Sequence, residues 1–403
     1  MVRARAVAPL QSSAKLTLPP RASVLCTAED KNLAHVPGTA QFTKDPNAIA
    51  AELYDGVDIS ALKHGTGKHA DIVLVPQPSD DPNDPLNWSP FKKHLSFFVL
   101  TYGTVCAGVL GPICSAAQND LAVIFDTSVQ NISRALGTSL VAALAVSTIF
   151  GAAASVKFGK RPVYVISTLL MLVGVFISSE AKSYGQLLGG RIIQGVGQAS
   201  LEFLVGSSLA DLYFTHERGW PVAIWNIALL NGINITPPIS GALFDALGYR
   251  WNFRIFGIAA FLLLLLQIFF LPETTYDRSY YVPRAVAAAE TGSASLDGEK
   301  TSEERVEGVI STPDGSAKSS VPIKHSYRQE LSLFHGVLDR NHNFFGLMLA
   351  PLKMCISPVV IFGILNYGLA ITLLVVIATG SAQIFATAYG FGAGAIGNTC
   401  QYG

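Results

Sequence analysis

Leu187-Leu188-Gly189-Gly190-Arg191-Ile192-Ile193-Gln194-Gly195-Val196-Gly197-Gln198-Ala199-Ser200-Leu201-Glu202 sets an arginine, two glutamines and a glutamate into an otherwise apolar run. At about 100° per residue on a helix, Gln194, Gln198 and Glu202 fall close to the direction of Arg191. One face of an otherwise apolar segment is therefore a polar file three turns long. An Arg or an Asp at mid-bilayer costs roughly 2.5 to 3.5 kcal/mol on insertion scales, and Glu is similar in kind, so the file must face protein or water, not lipid. Two readings follow. The file is either a polar seam joining neighbouring helices, or the wall of a cavity in which Arg191 attracts anionic or polar groups and Glu202 exchanges a proton. Gly189, Gly190, Gly195 and Gly197 suit both, because small residues let helices approach closely.

Six further apolar segments surround this one, which itself spans about 187 to 210, at about 95 to 116, 135 to 156, 162 to 179, 220 to 243, 253 to 272 and 356 to 381. At 1.5 Å per residue each is long enough to cross roughly 30 Å of hydrocarbon. Charged residues make up only 14% of the 403, against about 25% in a typical globular protein, which is too few to cover a water-soluble surface. The mean hydropathy of +0.39 agrees. Formal net charge is zero, so nothing points to nucleic acid. Cys26, Cys106, Cys114, Cys355 and Cys400 are scattered without metal-type spacing, and the eight histidines are dispersed. With no Walker loop, zinc pairing or nucleophile elbow, the expectation is no catalytic residues, no metal and no cofactor. Gly392-Ala393-Gly394-Ala395-Ile396-Gly397 matches a dinucleotide fingerprint, but no strand precedes it, and the match is accidental.

The expected fold class is an all-α, polytopic membrane protein in four parts. Residues 1–92, rich in Pro, Ser, Asp and Lys, read as a disordered cytosolic tail; 93–272 as a six-helix bundle; 273–345 as a flexible cytosolic linker; and 346–403 as the first helix of a second half. Lys92 and Lys93 before the first span, with Lys157, Lys160 and Arg161 after the second, place those ends in the cytosol, although Arg250 and Arg254 argue the other way. Asn131-Ile132-Ser133 then falls in the first external loop as a candidate glycosylation site, whereas Asn234-Ile235-Thr236 lies within a span. In that fifth segment Gly232, Pro237, Pro238 and Gly241 interrupt the helical ladder, and Asn226, Asn231 and Asn234 add amides. The combination fits a bent helix lining a cavity, or a packing kink.

Several of these tokens together resemble the major facilitator superfamily, in its fungal drug:proton antiporter branch, over about residues 80 to 403. Asp84-Pro85-Leu86-Asn87-Trp88 followed by Lys92-Lys93 is similar to the branch's entry signature, and Arg191, Gln194, Gly195 and Gly197 to its Arg-x-x-Gln-Gly-x-Gly pattern. Asp211-Leu212-Tyr213-Phe214 with His216-Glu217-Arg218-Gly219, and Leu271-Pro272-Glu273-Thr274, resemble its loops after the fourth and sixth helices. Gly232, Pro237 and Gly241 fit its antiporter motif, with Thr236 in place of the second glycine. Gly159, Lys160 and Arg161 match its gating loop, but Val156 stands where the family has the acid that helps to latch the gate.

The resemblance implies a proton-coupled exporter of small organic molecules in the plasma membrane, its partners being a small-molecule substrate, protons and the lipid bilayer. It implies that Arg191 orients substrate or couples to proton movement, that Glu202 is the protonatable partner in a pathway with Gln194, Gln198, Asn231 and Asn234, and that Pro237 and Gly241 shape the exchange path. It also implies twelve helices where this chain supplies seven, so the expectation is a C-terminally truncated copy. Its rival is a transport-inactive product, or a structural or regulatory partner of a full-length transporter. Neither the substrate nor the oligomeric state is legible. The apolar segments predict that the chain stays in the pellet when membranes are washed with alkaline carbonate; release into the supernatant would contradict the spans.

Overall fold

A computed structural model describes residues 62–65, 70–276, 324, 326–332, 343–390 and 395. Residues 1–61 and most of the stretch from 277 to 342, which carry the greater part of the expected tail and linker, lie outside the described residues, as does all but Ala395 of the 392–397 fingerprint match. Among the described residues the chain is helical, and its one β-bridge pairs His64 with Val73.

The helices in chain order are α1 (Pro90–Leu110), α2 (Gln118–Ile124), α3 (Val129–Ser133), α4 (Ser139–Phe158), α5 (Lys160–Ser179), α6 (Tyr184–Leu212), α7 (Gly219–Leu247), α8 (Tyr249–Phe270), α9 (Tyr327–Glu330), α10 (Phe344–Met354) and α11 (Pro358–Tyr389). Five stretches are long and apolar enough to cross a membrane: Pro90–Ile124, Val129–Phe158, Lys160–Ser179, Gly219–Leu247 and Tyr249–Phe270. A sixth is reached if Phe344–Lys353 and Pro358–Ala370, bent by 80°, count as one span. The 29-residue α6 is absent from that set because its polar file dilutes its hydropathy, yet its length covers the same thickness. Its neighbours make it apolar from the outside. α6 packs on α1, α4 and α5, so Arg191, Gln194 and Gln198 are buried by other helices and not by lipid.

Small residues set that closeness. A methyl added at Gly197 would run into the backbone of Ser167 and Met171 on α5, and one at Gly195 into Leu140 on α4. On the other side of the bundle Gly108 of α1 and Gly232 of α7 meet, and a Cβ on Gly108 would lie 2.7 Å from the Leu229 carbonyl. Large apolar side chains turn outward on the lipid-facing surfaces, among them Phe176, Ile258 and Phe261, as expected where the solvent is hydrocarbon.

Some of the differences from the sequence expectation have a local physical cause. α1 starts at Pro90, five residues early, because proline at the first helical position needs no hydrogen bond there and Lys92 and Lys93 are tolerated at a helix end. The second span is not one helix: α3 is followed by a π-helical turn over Arg134–Thr138 before α4 begins. α7 is helical straight through Pro237 and Pro238, which have no N–H and so leave the carbonyls of Ile233 and Asn234 without their ladder partners; the ladder is interrupted while the helix continues, and the Thr236 hydroxyl donates to the Gly232 carbonyl at 2.5 Å.

The stretch just before α1, expected to be part of a solvated tail, is folded against the bundle. Asp84 is fully buried and its carboxylate accepts from Leu86 N (3.0 Å), Ser79 N (3.2 Å) and Ser79 Oγ (3.0 Å), which stabilises a 3-10 turn at Pro85–Asn87. Trp88 is buried beneath it, with the Lys92 ammonium 3.8 Å above its ring. The proline-rich composition excluded a long helix; it did not exclude a turn held by one carboxylate. Val75 and Asp81 tie the same stretch to Thr215 (2.9 Å) and Tyr276 (3.0 Å).

The tight α5–α6 crossing predicts that Gly197→Ala lowers the thermal unfolding midpoint by several degrees, for an overpacking cost of about 1–3 kcal/mol. Gly189→Ala, where nothing lies within 4 Å, leaves the midpoint in place. Equal midpoints for the two variants in detergent would contradict the packing.

Candidate functional site

The polar file of α6 divides into two groups with different surroundings. Arg191 is fully buried, and its guanidinium makes five hydrogen bonds. Nε and Nη2 both donate to the Leu136 carbonyl in the π-helical turn, the former at 3.2 Å. Nη1 donates to Leu110 O (3.0 Å) and Nη2 to Gly111 O (3.1 Å), at the C-terminus of α1. Nη1 also reaches Gln194 Oε1 at 3.0 Å. The last carbonyls of a helix have no partner within it and carry partial negative charge, so a guanidinium is a natural cap for them. Arg191 thus clamps the end of α1 and the irregular start of the second span onto α6. No donor geometry of this kind is visible in a sequence, because its acceptors are main-chain atoms.

Gln194 is held at both ends. Its carbonyl takes the Arg191 bond and its amide donates to Ser178 Oγ of α5 at 2.9 Å. Gln198, only 3% exposed, is held at one end: Nε2 donates to Glu202 Oε1 at 2.5 Å, and its own Oε1 has no partner among the described residues. Glu202 is half-buried, and among the described residues it forms no ion pair. The file therefore brings together a saturated cation and, further along, a carboxylate whose named partner is a neutral amide.

Asn231 and Asn234 do not join them. Both are exposed on α7, which barely touches α6, and the Asn231 amide turns back to the Ile227 carbonyl at 2.8 Å. The helical wheel gives the side of α7 on which they sit but not which helix faces that side. Pro237 and Gly241 are buried in α7. Asn131, expected in a loop, sits on α3 with its amide 3.1 Å from Thr127 Oγ1. Beside the file, an open groove of about 600 Å³ runs between α4 and α6, walled by apolar side chains including Val146, Phe150, Ile192 and Val196; none of the four polar residues lines it.

The basic end of the bundle holds a second cluster. Gly159 adopts φ 97° between α4 and α5, a conformation that favours glycine. Lys160 pairs with Asp211 at the end of α6. Glu273, just past α8, accepts from the backbone amides of Lys160 (3.0 Å) and Arg161 (3.1 Å), so that one carboxylate caps the start of α5. Arg161 donates to the Ile268 and Ser332 carbonyls, both at 2.7 Å. Lys92 meets Glu330 at 2.7 Å, and Tyr327 Oη donates to Phe269 O at 2.6 Å, so residues 326–332 of the expected flexible linker lie against α1, α5 and α8. Val156 leaves the basic loop without its own acid, but Asp211 at the end of α6 and Glu273 just past α8 bind it. Among the described residues, no group of three or more His, Cys, Asp or Glu is placed to hold a metal.

Residues 95–399 match the family model described as Major Facilitator Superfamily. An uncharacterized MFS-type transporter of Schizosaccharomyces pombe is 29% identical over 255 residues, covering 63% of this chain and 42% of the relative. The MFS antiporter QDR3 of Candida albicans is 26% identical over 216 residues, covering 53% of this chain and 30% of the relative. This chain spans no more than about half the length of such curated relatives. Among solved structures, the proton:xylose symporter XylE superposes with a TM-score of 0.42 at 19% identity, covering 51% of this chain and 49% of that one.

Arg191→Lys should test the clamp. One ammonium cannot reach Leu110, Gly111 and Leu136 together, so stability should fall by at least the roughly 1.5–3 kcal/mol of one charge-assisted bond. An unchanged unfolding midpoint for the purified variant would show that the carbonyls do not need the guanidinium.

Proposed function

The chain belongs to the major facilitator superfamily, and from that premise we propose that it is a proton-coupled secondary transporter that exports small amphipathic organic molecules across the plasma membrane. The observation that carries the reading is Glu202, a half-buried carboxylate on a helix deep in the bundle, with no ion pair among the described residues and a neutral amide at 2.5 Å. An acid in such a place is costly to keep charged, and intramembrane acids of this kind mark ion and proton pathways. Protonation removes the cost, which gives the group a reason to bind and release a proton as its access to water changes.

Arg191 takes a different part from the one the resemblance implies. Its five bonds to main-chain carbonyls and Gln194 leave it committed to holding helices together, so substrate recognition is assigned elsewhere. The apolar groove between α4 and α6 supplies a wall for the hydrophobic part of an amphipathic molecule. Exchange of one species for another is supported by the antiporter named among the relatives; the outward direction and the proton as counter-ion are part of the proposal. Buried Pro237 and Gly241 give α7 the shape on which the exchange path is proposed to depend.

The test is transport by the full chain reconstituted in liposomes, driven by an imposed pH gradient and followed with a lipophilic dye. Glu202→Gln should cut gradient-driven flux at least tenfold and leave the unfolding midpoint within a few degrees of the parent. Flux equal to the parent's would remove Glu202 as the proton site.

A further inference from the structure

Gln194 and Gln198 lie one helical turn apart on the same file, yet their amides are held differently. Gln194 has a fixed orientation, because its oxygen must face Arg191 and its nitrogen must face Ser178. Among the described residues Gln198 has one side-chain bond, to Glu202, and a buried oxygen with no partner. Nothing on its far side fixes which way the amide points. An ionised Glu202 needs a donor, which the NH2 group supplies. A protonated Glu202 is itself a donor and needs an acceptor, which the same amide supplies after a half-turn of its terminal bond, without backbone movement.

We propose that Gln198 is a positioning residue for the proton site, whose amide turns over as Glu202 gains and loses its proton, satisfying the carboxyl in both states. This rests on the reading of Glu202 as the proton-binding group. Other titratable groups on the packed helices are engaged with their own partners: Tyr102 of α1 donates to the Ala259 carbonyl at 3.1 Å, and Tyr164 of α5 shares a hydrogen bond with Ser208. Cys106 of α1 is a buried thiol. Lys160 is paired with Asp211 at the basic end of the bundle. Arg191, on the same file, is saturated by carbonyls. No cation among the described residues pairs with Glu202, so the amide is the group positioned to set its proton balance. A bond to a charged acceptor is roughly twice as strong as a neutral one, so Gln198 favours the ionised form, and losing it raises the pH at which Glu202 releases its proton.

Infrared titration of the purified full chain tests this through the carbonyl stretch of the protonated carboxyl, assigned to Glu202 by its loss in Glu202→Gln. Gln198→Met keeps the side-chain volume and removes both bonds. It should move the midpoint up by about one pH unit, tenfold in proton affinity, and shift the stretch to higher wavenumber because the acid loses its acceptor. If Gln198→Met does not fold, Gln198→Asn, which withdraws the amide by one methylene, should move both readouts in the same direction. A Glu202 band present in the parent with midpoint and frequency unmoved by these changes overturns the role of Gln198 alone. A parent with no titrating Glu202 band overturns the proton-site reading and this proposal with it.

Discussion

A guanidinium buried among helices depends entirely on what accepts its protons. Arg191 survives in the bundle because Leu110, Gly111 and Leu136 each leave a main-chain carbonyl free at an irregular point of the backbone, the end of α1 and a π-helical turn. The dependence runs both ways. Those carbonyls would be unsatisfied in a medium without water, and the charge would be intolerable without them. Everything else about α6 follows from this exchange. It must be central so that the file meets protein, its neighbours must come close, and the glycines at 195 and 197 make that approach sterically possible.

With the cation neutralised locally by carbonyl dipoles, the chemistry of the file is left to its other half. Gln198 and Glu202 differ from Arg191 and Gln194 not in polarity but in completeness of bonding, and an incompletely bonded pair is the part that can change state. A rigid half next to an adaptable one would give the proposed proton site a fixed reference. The ionic cluster at the other end serves a separate purpose: Asp211, Glu273 and Glu330 bind the basic residues that close the ends of α1 and α5, each acid coming from a different part of the chain.

Much of the fold was legible in the sequence because lipid imposes a simple rule, that spans are long and apolar, and α1, α4, α5, α7 and α8 obey it. α6 was legible for the opposite reason: its violation of the rule, at Arg191 and Glu202, was itself the signal. The failures have a common physical origin. Helix periodicity says which residues share a face but not which neighbour they meet, so it does not show that Asn231 and Asn234 lie away from the α6 file, and it leaves Arg191 open between a polar seam and a cavity wall; the main-chain acceptors favour the seam. The folded turn around Asp84 and the docking of residues 326–332 rest on single carboxylates and carbonyls brought in from elsewhere in the chain. Such contacts leave no periodic trace. The Asp84 signature and the Leu271-Pro272-Glu273-Thr274 match were the hints available, and they were recognised by resemblance without a mechanism attached.

Gln194 is fully buried and Glu202 half-buried on one helix face, a difference that thiol labelling reads as access to water. In a background with Cys26, Cys355 and Cys400 changed to Ser, and with buried Cys106 and Cys114 retained, Gln194→Cys and Glu202→Cys are each exposed to a charged, water-soluble methanethiosulfonate reagent. Modification is expected at position 202 and none at position 194 over the same interval. Equal rates at the two positions, or reaction at 194 alone, would overturn the division of the file into a sealed half and an adaptable one.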